Sequence, residues 1–160
     1  MLGPTGRVYA VDSDPAAVAA LARLAKSGVG NVVPVEADFT RDFALPGLGK
    51  SPLDGMLFAN SLHFVREADA VLARLAAWIR PGGRAVLVEY DRRPASRWVP
   101  YPIPVTRLPS LATAAGLSQP VVTATRPSDY SGEMYAAFAE RLETFSAGPN
   151  GSTRPRPQKS

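Results

Sequence analysis

Several polar side chains follow short apolar runs, at the points where the strands of a sheet would end. Asp12 comes directly after one such run, Asp38 after the next along the chain, and Asn60 after a third. Ligands of open α/β sheets bind outside the carboxyl ends of the strands, where the strand order reverses. A carboxylate there can accept both ribose hydroxyls of a nucleoside, and a second acceptor can take an adenine amine. The alternative for Asp12 is a strand-end residue that caps the next helix.

His63 is the only histidine, and the chain has no cysteine. These counts exclude a histidine-rich metal site, a thiolate metal site and a cysteine nucleophile, so we predict no metal. An imidazole has a pKa suited to a general base, and His63 is therefore the candidate catalytic residue. The alternative is a packed residue beside the crevice, at the start of a helix.

A group of aromatic and basic residues follows the apolar run that ends at Glu89. Tyr90, Arg97, Trp98 and Tyr101 are the candidate substrate-binding residues, as a lid whose arginine faces a carboxylate or phosphate. The alternative is that the aromatic rings cover the end of the sheet while the arginines face water.

Apolar runs and turn signals predict strands that alternate with helices, which indicates an α/β domain with a largely parallel sheet. Pro34 cannot donate to a ladder, so its strand should lie at a sheet edge. The last two runs are typical of an antiparallel hairpin, although the second could be helical. The predicted strands are Val8–Val11, Val32–Ala37, Leu53–Ala59, Arg84–Glu89, Val121–Thr125 and Met134–Ala139, and the predicted helices are Pro15–Lys26, Glu67–Ile79 and Arg107–Ala115.

The chain has 160 residues and a formal charge of +4, and 46% of its residues are hydrophobic. These values predict one globular domain over residues 1–145 and a disordered basic tail over residues 146–160. Three basic residues of the tail supply much of the charge, so a nucleic-acid-binding face is not required. The chain shows neither an apolar run long enough to span a membrane nor a signal peptide, and we expect a cytoplasmic protein.

Four segments, in the right order, resemble the second to fifth strand regions of class I S-adenosylmethionine-dependent methyltransferases. They are Gly3–Pro15, Glu36–Phe39, Leu53–Val65 and Ala73–Tyr90. The resemblance implies a Rossmann-like sheet of order 3-2-1-4-5-7-6, mostly parallel with a C-terminal antiparallel hairpin. It also implies that S-adenosylmethionine is the cofactor.

The resemblance also implies roles for particular residues. Asp12 would bind the ribose hydroxyls of S-adenosylmethionine, and Asp38 the adenine amine, with Phe39 beside the ring. Asn60 and Leu62 would line the crevice near the methionine portion of the cofactor and the incoming substrate.

The chain departs from the family pattern before Val8, where members carry a first strand and a Gly-rich turn. That strand would lie between the strands at Val8–Val11 and Leu53–Ala59, so its absence leaves backbone groups of both unpaired. We therefore expect a truncated domain, whose first residue is internal to a longer protein or which is an inactive remnant. The incomplete sheet could associate with a second copy or a partner.

The resulting hypotheses are three. The first is a methyltransferase that acts on a small molecule, by in-line displacement of the sulfonium methyl group. The second is a non-catalytic binding subunit that a partner completes. The third is an NAD(P)-dependent reductase, which is weakened because no lysine follows a tyrosine at the Tyr-x-x-x-Lys spacing.

Overall fold

The computed structural model describes residues 3, 5–28, 31–130 and 132–143, which form six strands and three α-helices. In chain order the elements are β1 (Val8–Asp12), α1 (Pro15–Lys26), β2 (Val32–Glu36), β3 (Leu53–Ala59), α2 (Ala68–Ala76), β4 (Ile79–Asp91), α3 (Leu108–Ala114), β5 (Val121–Pro127) and β6 (Glu133–Glu140). Short 3₁₀ turns lie at Leu62–Phe64 and Val105–Arg107. The predicted tail, 146–160, falls outside the described residues.

The strands form two sheets. In one, β1 pairs in parallel with β2. In the other, the order is β3-β4-β6-β5, with β3 parallel to β4 and β6 antiparallel to both of its neighbours. This arrangement confirms the Rossmann-like methyltransferase fold, because the last strand of the hairpin inserts between β4 and β5. Among the described residues no ladder joins β1 to β3.

The first half of the chain follows local sequence signals closely. The Asp14 carboxylate accepts a hydrogen bond from Ala16 N at 2.9 Å, and Pro15 occupies the first helical position, where a missing N–H costs nothing. Pro34 lies in β2, which, among the residues that the structure describes, forms a ladder with β1 alone. The predicted edge position of this strand is therefore confirmed.

The core lies between the four-stranded sheet and the helices α2 and α3. Burial of apolar side chains is the main force that holds these elements together. Its most buried large side chains include Leu62, Leu72, Leu75, Leu111 and Tyr135. The Tyr135 hydroxyl donates to Ile103 O at 2.8 Å, which fastens the loop after β4 to the sheet.

The structure corrects several predicted boundaries. The helix predicted over Glu67–Ile79 ends at Ala76, because Ile79 already pairs with β3 and opens a strand that includes Pro81–Gly83. The helix predicted from Arg107 begins at Leu108, after a 3₁₀ turn. The helical alternative for the last segment is wrong, since β6 pairs on both sides.

The hairpin strand β5 lies at the outer edge of the larger sheet, and all seven of its residues are exposed. Its pairing with β6 is interrupted by a register shift between Val122 and Ala124. No helix of the described residues is long and apolar enough to cross a membrane.

Candidate functional site

A buried imidazole–carboxylate pair lies at the carboxyl ends of β3 and β4. His63, in the 3₁₀ turn after β3, places its Nδ1 2.6 Å from Oε2 of Glu89, a residue of β4. The His63 side chain is 3% exposed and that of Glu89 is fully buried. Such a short contact between a ring nitrogen and a carboxylate oxygen orients the imidazole and favours a proton on Nδ1.

The second oxygen of Glu89 holds the turn that carries His63. Glu89 Oε1 accepts hydrogen bonds from Ser61 N at 3.1 Å and Leu62 N at 2.9 Å. A carboxylate with three donors around it is satisfied although it is buried. The Glu89 side chain of β4 therefore fixes both the His63 ring and the backbone of the turn that carries it.

Asn60 begins this turn in a left-handed conformation, with φ of 51°. Its N–H donates to Val88 O at 2.8 Å, which continues the β3–β4 ladder up to the turn. Asparagine tolerates positive φ better than most residues do. The strand thus reverses sharply at Asn60, and the side chain of Asn60 is exposed at the predicted crevice.

The other ring nitrogen of His63 reaches solvent. Among the described residues no buried side-chain nitrogen or oxygen lacks a hydrogen-bond partner, and the only hydrogen bond of the His63 ring is the one from Nδ1. Nε2, without a partner, is therefore accessible. Phe64 and Tyr90 flank the imidazole, with ring centroids at 4.3 and 5.7 Å.

An open groove of about 580 Å³ lies beside this turn. Phe64 and Tyr101 line it together with Arg66 and Arg74. Tyr101 is fixed at both ends, because its N–H donates to His63 O at 2.9 Å and its hydroxyl accepts from Arg66 Nε at 3.2 Å. Tyr90 and Tyr101, both predicted to bind substrate, thus contact His63.

The other two predicted substrate-binding residues lie further out on the same loop. Arg97 stacks on Trp98, with its guanidinium carbon 5.6 Å from the ring centroid, and Trp98 is 70% exposed. Their turn is closed by hydrogen bonds between Ser96 and Val99. The structure therefore does not bring this pair into contact with His63.

The two acidic residues predicted to bind the nucleoside lie together at the end of the smaller sheet. Asp12 Oδ1 accepts from Asp14 N at 2.8 Å, and Asp12 O accepts from Ala37 N, next to Asp38. Asp12 Oδ2 has no protein partner among the described residues and is exposed. Asp12 therefore has one carboxylate oxygen held by the turn and one that is free to accept a further donor.

Asp38 is bound within its own turn. Its Oδ1 accepts from the hydroxyl of Thr40 at 2.6 Å and from Thr40 N at 2.9 Å. These bonds, with smaller contributions from Arg41 and Arg74, hold the pKa of Asp38 below its usual value. Asp38 therefore stays ionised and able to accept a further donor.

Phe39 and Leu62 pack inward. The Phe39 ring meets Phe58 of β3 edge-to-face at 6.2 Å, and its carbonyl accepts from Arg74 Nη2 at 2.7 Å. Phe39 is half-buried, so part of its ring can cover a planar ligand. Leu62 is fully buried in the core, so its side chain offers no surface to a crevice, contrary to expectation; only its backbone serves the site.

Glu89 is the functional residue that sequence reasoning missed as the partner of His63. A signal for it exists in β4, where Ala85, Leu87 and Glu89 all point inward and are buried. A glutamate on the apolar face of a strand needs a buried partner, and the single histidine was the candidate.

This fold and this site define the class I methyltransferase type of α/β protein. A family model described as "Methyltransferase domain" matches residues 1–85, more than half of the chain. The chain belongs to that family, and the resemblance based on its motifs is confirmed. Membership also favours methyl transfer over the reductase hypothesis, and S-adenosylmethionine as the cofactor agrees with it.

Two curated relatives match shorter stretches. The chain is 41% identical over 68 residues to ribosomal RNA small subunit methyltransferase H of Thermomicrobium roseum. This match covers 41% of this chain and 21% of the relative. It is 31% identical over 72 residues to a highly reducing polyketide synthase of Alternaria alternata. This match covers 45% of this chain and 3% of the relative. The chain thus spans a small part of either protein.

A solved structure shares the fold over most of the chain. It is the 1,6-didemethyltoxoflavin-N1-methyltransferase of Burkholderia thailandensis, crystallised with 1,6-didemethyltoxoflavin and S-adenosylhomocysteine. The TM-score is 0.66 at 24% identity, with 86% of this chain and 62% of that chain covered.

Proposed function

We propose that this chain is the catalytic part of an S-adenosylmethionine-dependent methyltransferase that acts on a small-molecule acceptor, in the cytoplasm. His63 is its general base, and Glu89 is the residue that orients His63. The observation that carries this proposal is the buried contact of 2.6 Å between His63 Nδ1 and Glu89 Oε2, which leaves His63 Nε2 without a partner among the described residues.

The residues at the smaller sheet support binding of the cofactor. S-adenosylmethionine supplies a methyl group that its sulfonium makes electrophilic. Asp12 would hold the ribose hydroxyls through Oδ2, and Asp38 would accept from the adenine amine beside Phe39. Asn60, exposed at the turn after β3, would face the methionine portion.

The acid–base role of His63 follows from its surroundings. With the Nδ1 proton held by Glu89, the ring lone pair lies on Nε2, where it can take a proton from an acceptor. The carboxylate then stabilises the imidazolium that forms, as a buried carboxylate does in other histidine-based sites. Such assistance suits acceptors whose nucleophile must lose a proton, which are hydroxyls and activated carbon acids.

The walls of the groove support a small acceptor. Phe64 and Tyr101 line the groove, and Phe64 and Tyr90 flank the His63 ring, so the aromatic surface here favours a planar organic molecule. Arg97 and Trp98 could close over it as part of a lid. The polyketide synthase and toxoflavin relatives agree with a small acceptor, whereas the ribosomal RNA relative would imply a nucleic-acid acceptor.

The test compares methyl transfer by the wild-type chain with that of His63→Asn, scored as S-adenosylhomocysteine formed with a panel of phenols and 1,3-dicarbonyl compounds. Loss of a general base should lower turnover by about 10²–10⁴-fold. Binding of S-adenosylhomocysteine, measured by calorimetry, should not change. Thr113→Ala, on the surface of α3, serves as the control. Turnover of His63→Asn within threefold of wild type would refute the proposal.

A second candidate, a non-catalytic subunit completed by a partner or a second copy, rests on a different observation. Within the part of the chain that the structure describes, β1 and β3 each pair along one edge alone, and Val8 and Leu57 on these strands are 40% and 62% exposed. Calorimetric titration with S-adenosylmethionine and light scattering separate the two candidates. Micromolar binding by the wild-type chain favours the enzyme, and stable self-association without binding favours the subunit.

A further inference from the structure

Arg93, just after β4, is held by aromatic rings alone. Its guanidinium carbon lies 4.4 Å from the ring centroid of Tyr90 and 5.8 Å from that of Tyr130. Within the described residues it makes no hydrogen bond and no ion pair, although it is half-buried. The guanidinium of Arg107, another half-buried arginine, instead meets the carboxylate of Asp69 at 3.1 Å.

The backbone at the end of β4 explains why Arg93 is left without an acid. Arg92 has φ of 52°, so the chain bends sharply there, and Arg92 takes the carboxylates of Asp91 and Glu133. Gly132 packs so closely that a Cβ would come within 2.7 Å of Asp91 O, which fixes the bend. Arg92 thus uses the local acids, and Arg93 is directed onto the rings.

Tyr90, whose ring lies beneath the Arg93 guanidinium, also flanks the imidazole of His63. The Tyr90 centroid lies 5.7 Å from that of His63, so at most 10.1 Å, the sum of the two separations, lies between the guanidinium carbon and the imidazole centre. A guanidinium stacked on a ring keeps its N–H groups in the plane, free for bidentate contact with a carboxylate or phosphate. Stacking also lowers the entropy lost on binding.

We propose that Arg93 selects an anionic methyl acceptor. It would bind a carboxylate or phosphate group while the nucleophilic atom of the same molecule lies at His63 Nε2. This inference rests on the proposed function and adds to it the charge of the acceptor. It predicts that neutral analogues of the same shape bind less well.

His63 makes the test direct, because the single histidine gives one set of imidazole signals in ¹⁵N-labelled, tag-free protein. The probes are 4-hydroxybenzoate, 4-hydroxyphenyl phosphate and the neutral 4-hydroxybenzamide, titrated while the His63 signals are followed. The wild-type chain should bind at least one anion about tenfold or more tightly than the amide, as expected of a charge-assisted contact. The anion that binds more tightly shows whether Arg93 prefers a carboxylate or a phosphate.

Two variants and one control test the assignment to Arg93. Arg93→Met should bind all three probes alike, and Arg93→Lys should keep part of the preference. Arg84→Met removes a similar arginine, which lies in the middle of β4 and 4.7 Å over the Phe138 ring, and should keep the whole preference. Backbone amide spectra verify that each variant folds.

Several results would overturn the inference: no His63 shift with either anion, equal binding of the amide, or an unchanged preference in Arg93→Met. These results are distinct from failure of the proposed function. If His63→Asn loses turnover while the wild-type chain shows no anion preference, only the role of Arg93 is refuted. If His63→Asn keeps turnover, the general base is refuted whatever Arg93 does.

Discussion

The two sheets of this molecule differ in how their polar residues are held. In the smaller sheet α1 has no buried residue, and Asp12 and Asp38 are fixed by turns within a few residues of themselves. In the larger sheet Glu89 and His63 are buried and come from segments 26 residues apart. The His63–Glu89 pair is therefore held in place by the core, whereas the conformations of Asp12 and Asp38 depend on local turns.

The largest effect should come from removing the buried carboxylate. Glu89→Ala leaves Ser61 N, Leu62 N and the His63 ring without their acceptor inside the core. We expect the free energy of unfolding, from urea denaturation, to fall by about 3–5 kcal/mol. Glu140→Ala, in an exposed pair with Arg84, should change it by less than about 1 kcal/mol. Equal losses would remove the contrast between buried and exposed acids.

A matched pair of leucines tests the same comparison without charge. Leu75 on α2 is 2% exposed and Leu24 on α1 is 47% exposed. Leu75→Ala should lower the free energy of unfolding by about 2–5 kcal/mol, because it leaves a cavity. Leu24→Ala should lower it by less than about 1 kcal/mol. A large loss for Leu24→Ala would show that α1 is covered in solution.

The helix cap gives a smaller effect, confined to the smaller sheet. Asp14→Ala removes the acceptor of Ala16 N and should cost about 1 kcal/mol in the same measurement. Asp14→Ser keeps a capping oxygen and should restore most of this loss. Hydrogen exchange should rise in α1 alone, and a rise in β4 as well would mean that the two sheets unfold together.

The smallest effect concerns the acid side of the pH profile. Because the pKa of Asp38 is below its ordinary 3.8 in the fold, its contribution to stability is present above 3.8 and is lost as pH falls through the lower, folded value. Thr40→Val removes the hydroxyl that is the largest cause and should move the pKa upward. Carbon-detected NMR titration of the Asp38 carboxyl measures it, with Thr113→Val as control. An unmoved pKa would contradict the assignment.

The sequence predicted those parts of the molecule that local rules determine. Asp14 followed by Pro15 marks the start of α1, and Pro34 marks an edge strand, because each acts on its own backbone. The end of α2 was missed because Ile79 gains its ladder partner only from Leu53, which is distant in sequence. The carboxyl ends of the predicted strands also indicated the region in which His63 and Glu89 lie.

The pairing inside the site was beyond local rules. Glu89 and His63 meet because β3 pairs with β4 as far as Ala59 with Val88 and the chain then turns at Asn60, and the sequence of either segment alone does not show this pairing. Leu62 follows β3, and the sequence therefore suggested that it lines the crevice. The direction of its side chain depends on the turn, however, and in the structure this side chain is fully buried. The predicted contacts of Asp12, Asp38, Phe39 and Asn60 with the cofactor stay predictions.

The outer strand β5 has a consequence for behaviour at high concentration. An open strand edge can template aggregation, but β5 carries a register shift, a charged Arg126 and Pro127, which has no N–H to offer another chain. The opposite edge, at β3, has a register shift and the charged Asp54 only near its start, and Leu57 in its second half is 62% exposed. Precipitation or filament growth should therefore begin at β3, and a lysine at position 57 should improve the shelf life of the purified chain.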